Sequence, residues 1–138
     1  MRLGYNTNGF AHHRLPDALA VIAELGYRAV AITLDVHHLD PYASDHAAEL
    51  ATIERRCREL DLQPVIETGA RFLLDARRKH QPTLVSAAVA DRERRLDFID
   101  RAIDVAAKLG PGGIISLWSG STDDGAPPAV ADTRLAAG

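Results

Sequence analysis

The stretch that decides the fold is ALAVIAELGYRAVAITLD, residues 18–35. Its first half places Leu19 and Ile22 three residues apart, the spacing of a helix that buries one face. The chain then passes through Gly26 into a continuous apolar run at 29–34, which is typical of a parallel strand buried on both faces. The stretch therefore predicts a helix, a tight corner and a strand, in that order.

The same layout occurs twice more along the chain. AIDVAAKLGPGGIISLWS, residues 102–119, lies 84 positions further on, and ERRCRELDLQPVIETG, residues 54–69, repeats the order with Asp61 at the corner. RLGYNT, residues 2–7, fits an additional strand at the start. Alternating helices and strands of this kind predict an α/β fold with a parallel sheet of about four strands.

Spacing also assigns a buried face to the third helix. Leu96, Ile99, Ile103 and Ala106 recur at three- and four-residue steps, so we expect these four side chains to face the core. Gly26 and Gly110 follow the first and third helices, where a left-handed glycine often ends a helix.

Two segments fall outside the repeat. Residues 70–90 predict a long connection after the third strand, and residues 121–138 are rich in Gly, Pro and Asp, which predicts a loop or a disordered tail. The expected domain therefore covers residues 1–120.

Composition limits the class of protein. The chain has 138 residues and a net charge of -3, enough for one domain and without the basic excess of a nucleic-acid-binding surface. The single cysteine, Cys57, cannot form an intrachain disulfide. The sequence shows no signal-peptide pattern at its start and no apolar segment of membrane-spanning length. We therefore expect a cytoplasmic protein without nucleic-acid or membrane partners.

Polar groups follow the predicted strands at their carboxyl ends. In parallel α/β folds the ligand lies at that edge of the sheet, where the loops converge. The candidate residues are Asn6 after the first strand, His37 and His38 after the second, Glu67 and Arg71 at the third, and Trp118 and Ser119 after the fourth.

His37 and His38 stand between Asp35 and Asp40, and this pattern leaves three interpretations open. The pair can be a metal site, an acid/base group or an ordinary polar loop. Alternation of side chains along a strand puts the two imidazoles on opposite sides, which favours one histidine facing a pocket. A third metal ligand is not evident, so no metal ligand is assigned.

Glu67, Arg71 and Trp118 each have a structural alternative. Glu67 ends an apolar strand and is a candidate general base, but it can equally pair with Arg71. Arg71 also belongs to a local basic cluster with Arg77, Arg78, Lys79 and His80. This cluster can hold a phosphate or carboxylate of a substrate, or it can be a solvated face. Trp118 can stack on a sugar ring or fill the core.

Four longer motifs resemble the xylose-isomerase-like TIM-barrel superfamily, the sugar phosphate isomerase and epimerase group. The motifs are RLGYNTNGF (2–10), DALAVIAELGYRAVAITLDVHH (17–38), CRELDLQPVIETGARFLLD (57–75) and RAIDVAAKLGPGGIISLWSG (101–120). The resemblance covers about residues 1–120 and implies the N-terminal half of such a barrel.

The resemblance implies a divalent metal (Mn, Mg, Zn or Co) in the complete barrel, held by carboxylates and a histidine from strands five to eight. No position of this chain matches those ligands. It also implies that His37 or His38 occupies the place of a histidine that assists proton transfer on the substrate, and that Glu67 lies where relatives contact the substrate.

The resemblance thus implies a sugar or polyol substrate and an isomerase or epimerase activity. Two alternatives remain: a non-catalytic or truncated half barrel, and a lyase or abasic-site endonuclease on the same scaffold. Four strands also leave two open sheet edges, so we expect the chain to self-associate or to be only partly stable alone.

Overall fold

The computed structural model describes residues 1–110 and 112–137 of the chain. Strands and helices alternate as the repeat predicts. The strands are β1 (Gly4–Asn6), β2 (Ala29–Thr33), β3 (Gln63–Glu67) and β4 (Ile115–Ser116), and the helices are α1 (Leu15–Glu24), α2 (His46–Glu59), α3 (Val89–Leu109) and α4 (Pro128–Ala136). A short 3-10 helix, Thr7–Phe10, follows β1.

The strands form one parallel sheet in the order β1-β2-β3-β4. This confirms the predicted α/β class and the four parallel strands of half a TIM barrel. The register aligns Thr33 with Glu67, and Glu67 with Ser116. Because residues in register on parallel strands face the same side, these three side chains lie on one face near the carboxyl edge of the sheet.

The helices cover the opposite face of the sheet. Val30, Ile32 and Ile66 are buried at 0–1% exposure and join the main core with residues of α1, α2 and α3. Leu19 and Ile22 of α1 are fully buried, as the opening stretch predicts. None of the helices in residues 1–110 and 112–137 combines the length and the apolar character needed to cross a membrane.

The buried face of α3 differs from the prediction. Ile103 is 48% exposed and Leu96 is only half-buried, so the expectation that both face the core is wrong. The stripe that packs on the sheet is rotated and shares only Ile99 and Ala106 with the predicted one. Its buried residues are Arg95, Phe98, Ile99, Ala102, Val105, Ala106 and Leu109. Packing against the sheet selected this face, and the helical period alone does not distinguish between two neighbouring stripes.

The corners after the helices are of two kinds. Gly26 follows α1 at φ 89° and Asp61 follows α2 at φ 50°, so both adopt the left-handed conformation that ends many helices. Gly110 has φ 172°, which is extended, so the expected left-handed corner after α3 is not formed at that residue. The neighbouring Gly112 instead has φ 83°.

The C-terminal segment contains a helix. Residues 121–138 are predicted to be a loop or a disordered tail, whereas α4 (Pro128–Ala136) lies within that range. An ion pair of 2.7 Å from Arg134 to Asp124 holds α4 to the preceding loop, and Arg134 also donates to the carbonyl of Val85. Gly138 lies outside the described residues.

Candidate functional site

A row of polar side chains crosses the carboxyl edge of the sheet on the face that the helices leave free. Asn6, Thr33 and Glu67 stand at the ends of β1, β2 and β3. The Thr33 hydroxyl lies 3.1 Å from Oδ1 of Asn6 and 2.8 Å from Oε2 of Glu67. The main-chain N–H of Thr33 donates to the buried hydroxyl of Thr7 at 3.1 Å, which fixes β2 against the end of β1.

The row contains fewer protons than it has acceptor oxygens. Oδ1 of Asn6 already accepts from the main-chain N–H of Asn8 at 2.7 Å, which sets the amide orientation. The single hydroxyl proton of Thr33 can therefore go to Asn6 or to Glu67, but not to both. An ionised Glu67 accepts that proton. A protonated Glu67 donates to Thr33, and Thr33 then donates to Asn6. Both protonation states of Glu67 are thus satisfied.

Gly69 keeps the space beside this carboxylate open. A Cβ at Gly69 would lie 3.0 Å from both carboxylate oxygens of Glu67, closer than most Cβ contacts in proteins. Glu67 itself is half-buried. Because residue 69 is glycine, the space beside the carboxylate stays open. The side chain of any larger residue at this position would occupy that space.

The two histidines after β2 occupy different environments. Asp35 and His38 exchange main-chain hydrogen bonds of 3.0 and 2.9 Å, so the chain reverses sharply across Val36 and His37. His38 is 3% exposed, and its Nε2 lies 2.9 Å from the carbonyl oxygen of His13. Because that oxygen only accepts, Nε2 is the protonated nitrogen, and His38 ties two loops together.

His37 is exposed and lies on the outer side of the same turn. It lines a cavity of about 280 Å³ with Ala11, His12, His13 and Arg14. Neither His37 nor His38 forms a hydrogen bond with the Asn6–Thr33–Glu67 row within residues 1–110 and 112–137. The grouping of these histidines with Glu67 in one site therefore stays a prediction.

Arg71 pairs with Asp35 rather than with Glu67. Nε of Arg71 lies 3.3 Å from Oδ2 of Asp35, with side-chain exposures of 26% and 15%. The pair joins the loop after β3 to the loop after β2. It also leaves the Glu67 carboxylate without Arg71 as a counter-ion, so the pairing considered for Glu67 from the sequence is not the one formed.

Trp118 lies at the surface beyond β4, with 39% of the residue exposed. Its ring packs edge-to-face with the imidazole of His80, with 5.3 Å between the ring centroids. Nδ1 of His80 lies 2.7 Å from the carbonyl oxygen of Gly69. Ser119 is exposed, and its carbonyl accepts from the N–H of Leu84 at 3.2 Å.

His80 is the residue that sequence reasoning missed. The sequence groups it with Arg71, Arg77, Arg78 and Lys79 in one basic cluster. The structure instead directs His80 back to Gly69, eleven positions earlier. Residues 68–88 contain no helix or strand, so no periodicity in the sequence marks this return.

A buried arginine lies behind the end of β3. Arg95 has 0% exposure; its Nη2 donates to the carbonyl of Thr68, while Nε and Nη1 lack partners in the described part of the chain. Burial lowers the pKa of Arg95 to about 10, and the nearby charge of Glu67 partly opposes this shift. Such a shift corresponds to about 3 kcal/mol against the charged form. The guanidinium of Arg95 therefore holds Thr68, the residue after Glu67, in place, and the burial of its charge lowers the stability of the fold.

The described residues do not fit a divalent metal ion. Among residues 1–110 and 112–137, no group of three or more His, Cys, Asp or Glu side chains is arranged to hold one. Beside Glu67 stand a hydroxyl and an amide oxygen, and neither is a second carboxylate or a histidine. No chemical step is therefore assigned to a metal held by these residues.

A larger cavity of about 430 Å³ opens at the other end of the sheet, near the start of β3. Arg2, Cys57 and Asp61 line it. Burial raises the pKa of the Cys57 thiol to about 11, so this sulfur is not a nucleophile at neutral pH. The amino ends of barrel strands are also not where barrel active sites form. The polar row at the carboxyl edge is therefore the candidate site.

Comparison with known proteins gives one family. The model of a family described as "Xylose isomerase-like TIM barrel" matches residues 19–138. No curated protein and no solved structure matches the chain.

Proposed function

The chain belongs to the xylose isomerase-like TIM barrel family, and from this premise we propose that it carries the proton-transfer base of a sugar or polyol isomerase or epimerase. Glu67 is the base in this proposal. The observation that carries it is the hydrogen-bonded row in which Thr33 lies 2.8 Å from Glu67 and 3.1 Å from Asn6.

The chemistry follows from the two satisfied protonation states of Glu67. An isomerase or epimerase removes a proton from the carbon beside a carbonyl and returns it elsewhere. The base must therefore be stable both before and after it takes the proton. Thr33 turns its single proton toward Glu67 in the first state and toward Asn6 in the second, so neither state leaves a polar group unsatisfied at that end of the row.

Groups suited to substrate hydroxyls stand in the row and on the segment after β4. Asn6 has an amide NH₂ group beyond its bound Oδ1, Ser119 carries an exposed hydroxyl, and Trp118 offers a partly exposed ring. Arg71, held by Asp35, lies at the rim and is suited to an acidic substituent such as a phosphate. A cytoplasmic location is part of the same proposal.

The test is solvent proton exchange with a panel of substrates. The protein is incubated in D₂O with aldoses, ketoses and their phosphates, with and without Mn²⁺, Mg²⁺, Zn²⁺ or Co²⁺, and ¹H NMR follows loss of the C–H signal beside the carbonyl. We expect exchange with at least one member of the panel. Absence of exchange with every member under every metal condition contradicts the proposed function.

We further propose that the chain associates with itself through its sheet. The sheet has two edge strands, β1 and β4, and open edges with unpaired main-chain groups readily pair with another chain. Leu3, Ile114 and Leu117 are 43–68% exposed beside these edges. Size-exclusion chromatography with light scattering is expected to give a mass above 14.9 kDa. A cooperative unfolding transition from a strictly monomeric species contradicts this expectation.

A further inference from the structure

His80 is held by three separate interactions on the loop after β3. Its main-chain N–H donates to the carbonyl of Arg71, its Nδ1 lies 2.7 Å from the carbonyl oxygen of Gly69, and its ring packs edge-to-face on Trp118. The backbone has φ 66°, a left-handed conformation that is uncommon for a residue other than glycine. A strained residue fixed by several partners is often found at a functional site.

The hydrogen bond to Gly69 sets the tautomer of the ring. A carbonyl oxygen can only accept, so Nδ1 carries the proton and a neutral imidazole has its lone pair on Nε2. Within residues 1–110 and 112–137, Nε2 has no hydrogen-bond partner, yet it is not one of the buried atoms that lack partners. Nε2 is therefore a proton acceptor that solvent or a ligand can reach.

Gly69 connects this acceptor to the base. Its carbonyl binds the imidazole of His80, while its Cα lies beside the carboxylate of Glu67, so closely that a Cβ would be 3.0 Å from it. The imidazole and the carboxylate thus flank the same glycine at the carboxyl edge of the sheet. Two groups able to accept protons are brought together there, one on the strand and one on the loop.

We propose that His80 is the second proton-transfer residue of the site and that the reaction is an aldose–ketose isomerisation. This inference rests on the proposed function. Glu67 takes the proton from the carbon that bears the hydroxyl and returns it to the former carbonyl carbon. Nε2 of His80 takes the proton of that hydroxyl and delivers it to the former carbonyl oxygen. Both residues end in their starting states, and atoms and charge balance.

The role of His80 distinguishes isomerisation from epimerisation. An epimerase moves only the carbon-bound proton, and the carbonyl oxygen is unchanged between substrate and product. An isomerase must also move a proton from one oxygen to its neighbour, and a neutral imidazole with an accessible lone pair is suited to that transfer. The accessible Nε2, on a ring that is bound to the same glycine that adjoins Glu67, therefore favours the isomerase.

The experiment compares carbon exchange with product formation in D₂O for wild type and His80→Gln. We expect His80→Gln to lower aldose–ketose interconversion by about 10²- to 10⁴-fold. Exchange of the C–H proton by Glu67 is expected to persist, so the ratio of exchange to interconversion rises. His12→Gln, at an exposed histidine of the loop after β1, is the matched control and is expected to leave the ratio unchanged.

Several outcomes overturn the inference. In the first outcome, the wild type exchanges the C–H proton and interconverts aldose and ketose, and His80→Gln leaves the ratio of exchange to interconversion unaltered. This result overturns the role of His80 and leaves the proposed function standing. Wild type that exchanges but only epimerises also overturns it. Wild type without exchange overturns the proposed function and this inference together. A second measurement does not depend on activity or on the folding of a variant. In ¹⁵N NMR of the wild-type protein with labelled histidine, we expect Nδ1 of His80 to carry the proton. A tautomer with the proton on Nε2 overturns the inference.

Discussion

Replacing Glu67 with glutamine is expected to lower the rate of solvent proton exchange by about 10²- to 10⁴-fold. Glutamine has nearly the same shape as glutamate and can still bond the Thr33 hydroxyl, which lies 2.8 Å from Oε2. Its amide cannot take a proton from carbon. The exchange rate measured by ¹H NMR should therefore fall while the unfolding midpoint changes little.

The control for Glu67→Gln is Glu24→Gln, at an exposed position near the end of α1. It removes the same charge far from the row and is expected to leave exchange unaltered. An unchanged exchange rate in Glu67→Gln would contradict the assignment of Glu67 as base. An equal loss of exchange rate in Glu24→Gln would show that the effect comes from net charge instead.

Thr33→Val adds a test of the row itself. Valine keeps the shape of threonine and removes the hydroxyl whose proton can turn toward either Asn6 or Glu67. Glu67 then loses its partner in both protonation states, so exchange should fall, though less than in Glu67→Gln. This variant separates a base that works through the hydrogen-bonded row from a base that works alone.

The second large effect is on stability. Phe98→Ala is expected to lower the free energy of unfolding by about 3–5 kcal/mol, because Phe98 has 0% exposure and belongs to the main core. Alanine leaves a cavity that the surrounding helices and strands fill only in part. Urea denaturation at a fixed protein concentration measures the loss, since any self-association makes stability depend on concentration.

Ile103→Ala is the matched control on the same helix. Ile103 is 48% exposed, so its truncation is expected to change the free energy of unfolding by no more than about 0.5 kcal/mol. The pair also tests which face of α3 meets the sheet. A large loss in Ile103→Ala with a small loss in Phe98→Ala would restore the face that the spacing alone predicts.

Part of the loss in Phe98→Ala comes through Arg95. The guanidinium carbon of Arg95 lies 5.1 Å from the centroid of the Phe98 ring, and a buried cation gains from such a contact. Removing the ring leaves the charge, among residues 1–110 and 112–137, with only its bond to the carbonyl of Thr68. Residues in contact do not contribute additively, so the effects of Phe98→Ala and of an Arg95 variant should not sum.

Much of the fold follows from the sequence because its signals are local. The three-residue step from Leu19 to Ile22 marks a buried helical face, and the apolar run 29–34 marks a buried strand. Gly26 provides the left-handed corner between them. Copies of the same pattern along the chain predict further helix–strand units, and such units form a parallel sheet. The four-stranded sheet confirms this prediction.

Part of the candidate site follows from the same local signals. Strand ends determine which residues reach the carboxyl edge, so Asn6 and Glu67 are found from the sequence. Thr33 is less visible, because it reads as part of an apolar run. Only the register between β2 and β3 places its hydroxyl beside the carboxylate of Glu67.

The remaining features depend on contacts between residues that are distant in the chain. Packing on the sheet chose Phe98 over Ile103 as the inward residue of α3, a choice between two stripes of similar spacing. The hydrogen bond from His80 to Gly69 and the ion pair from Arg71 to Asp35 join separate loops. The periodicity of a sequence indicates which side chains of a helix or strand are buried. It does not indicate which distant residues an irregular loop contacts. The sequence by itself therefore determined the sheet and the carboxylate at its edge, and only the tertiary structure decided that His80 is bound to Gly69 in the loop that follows.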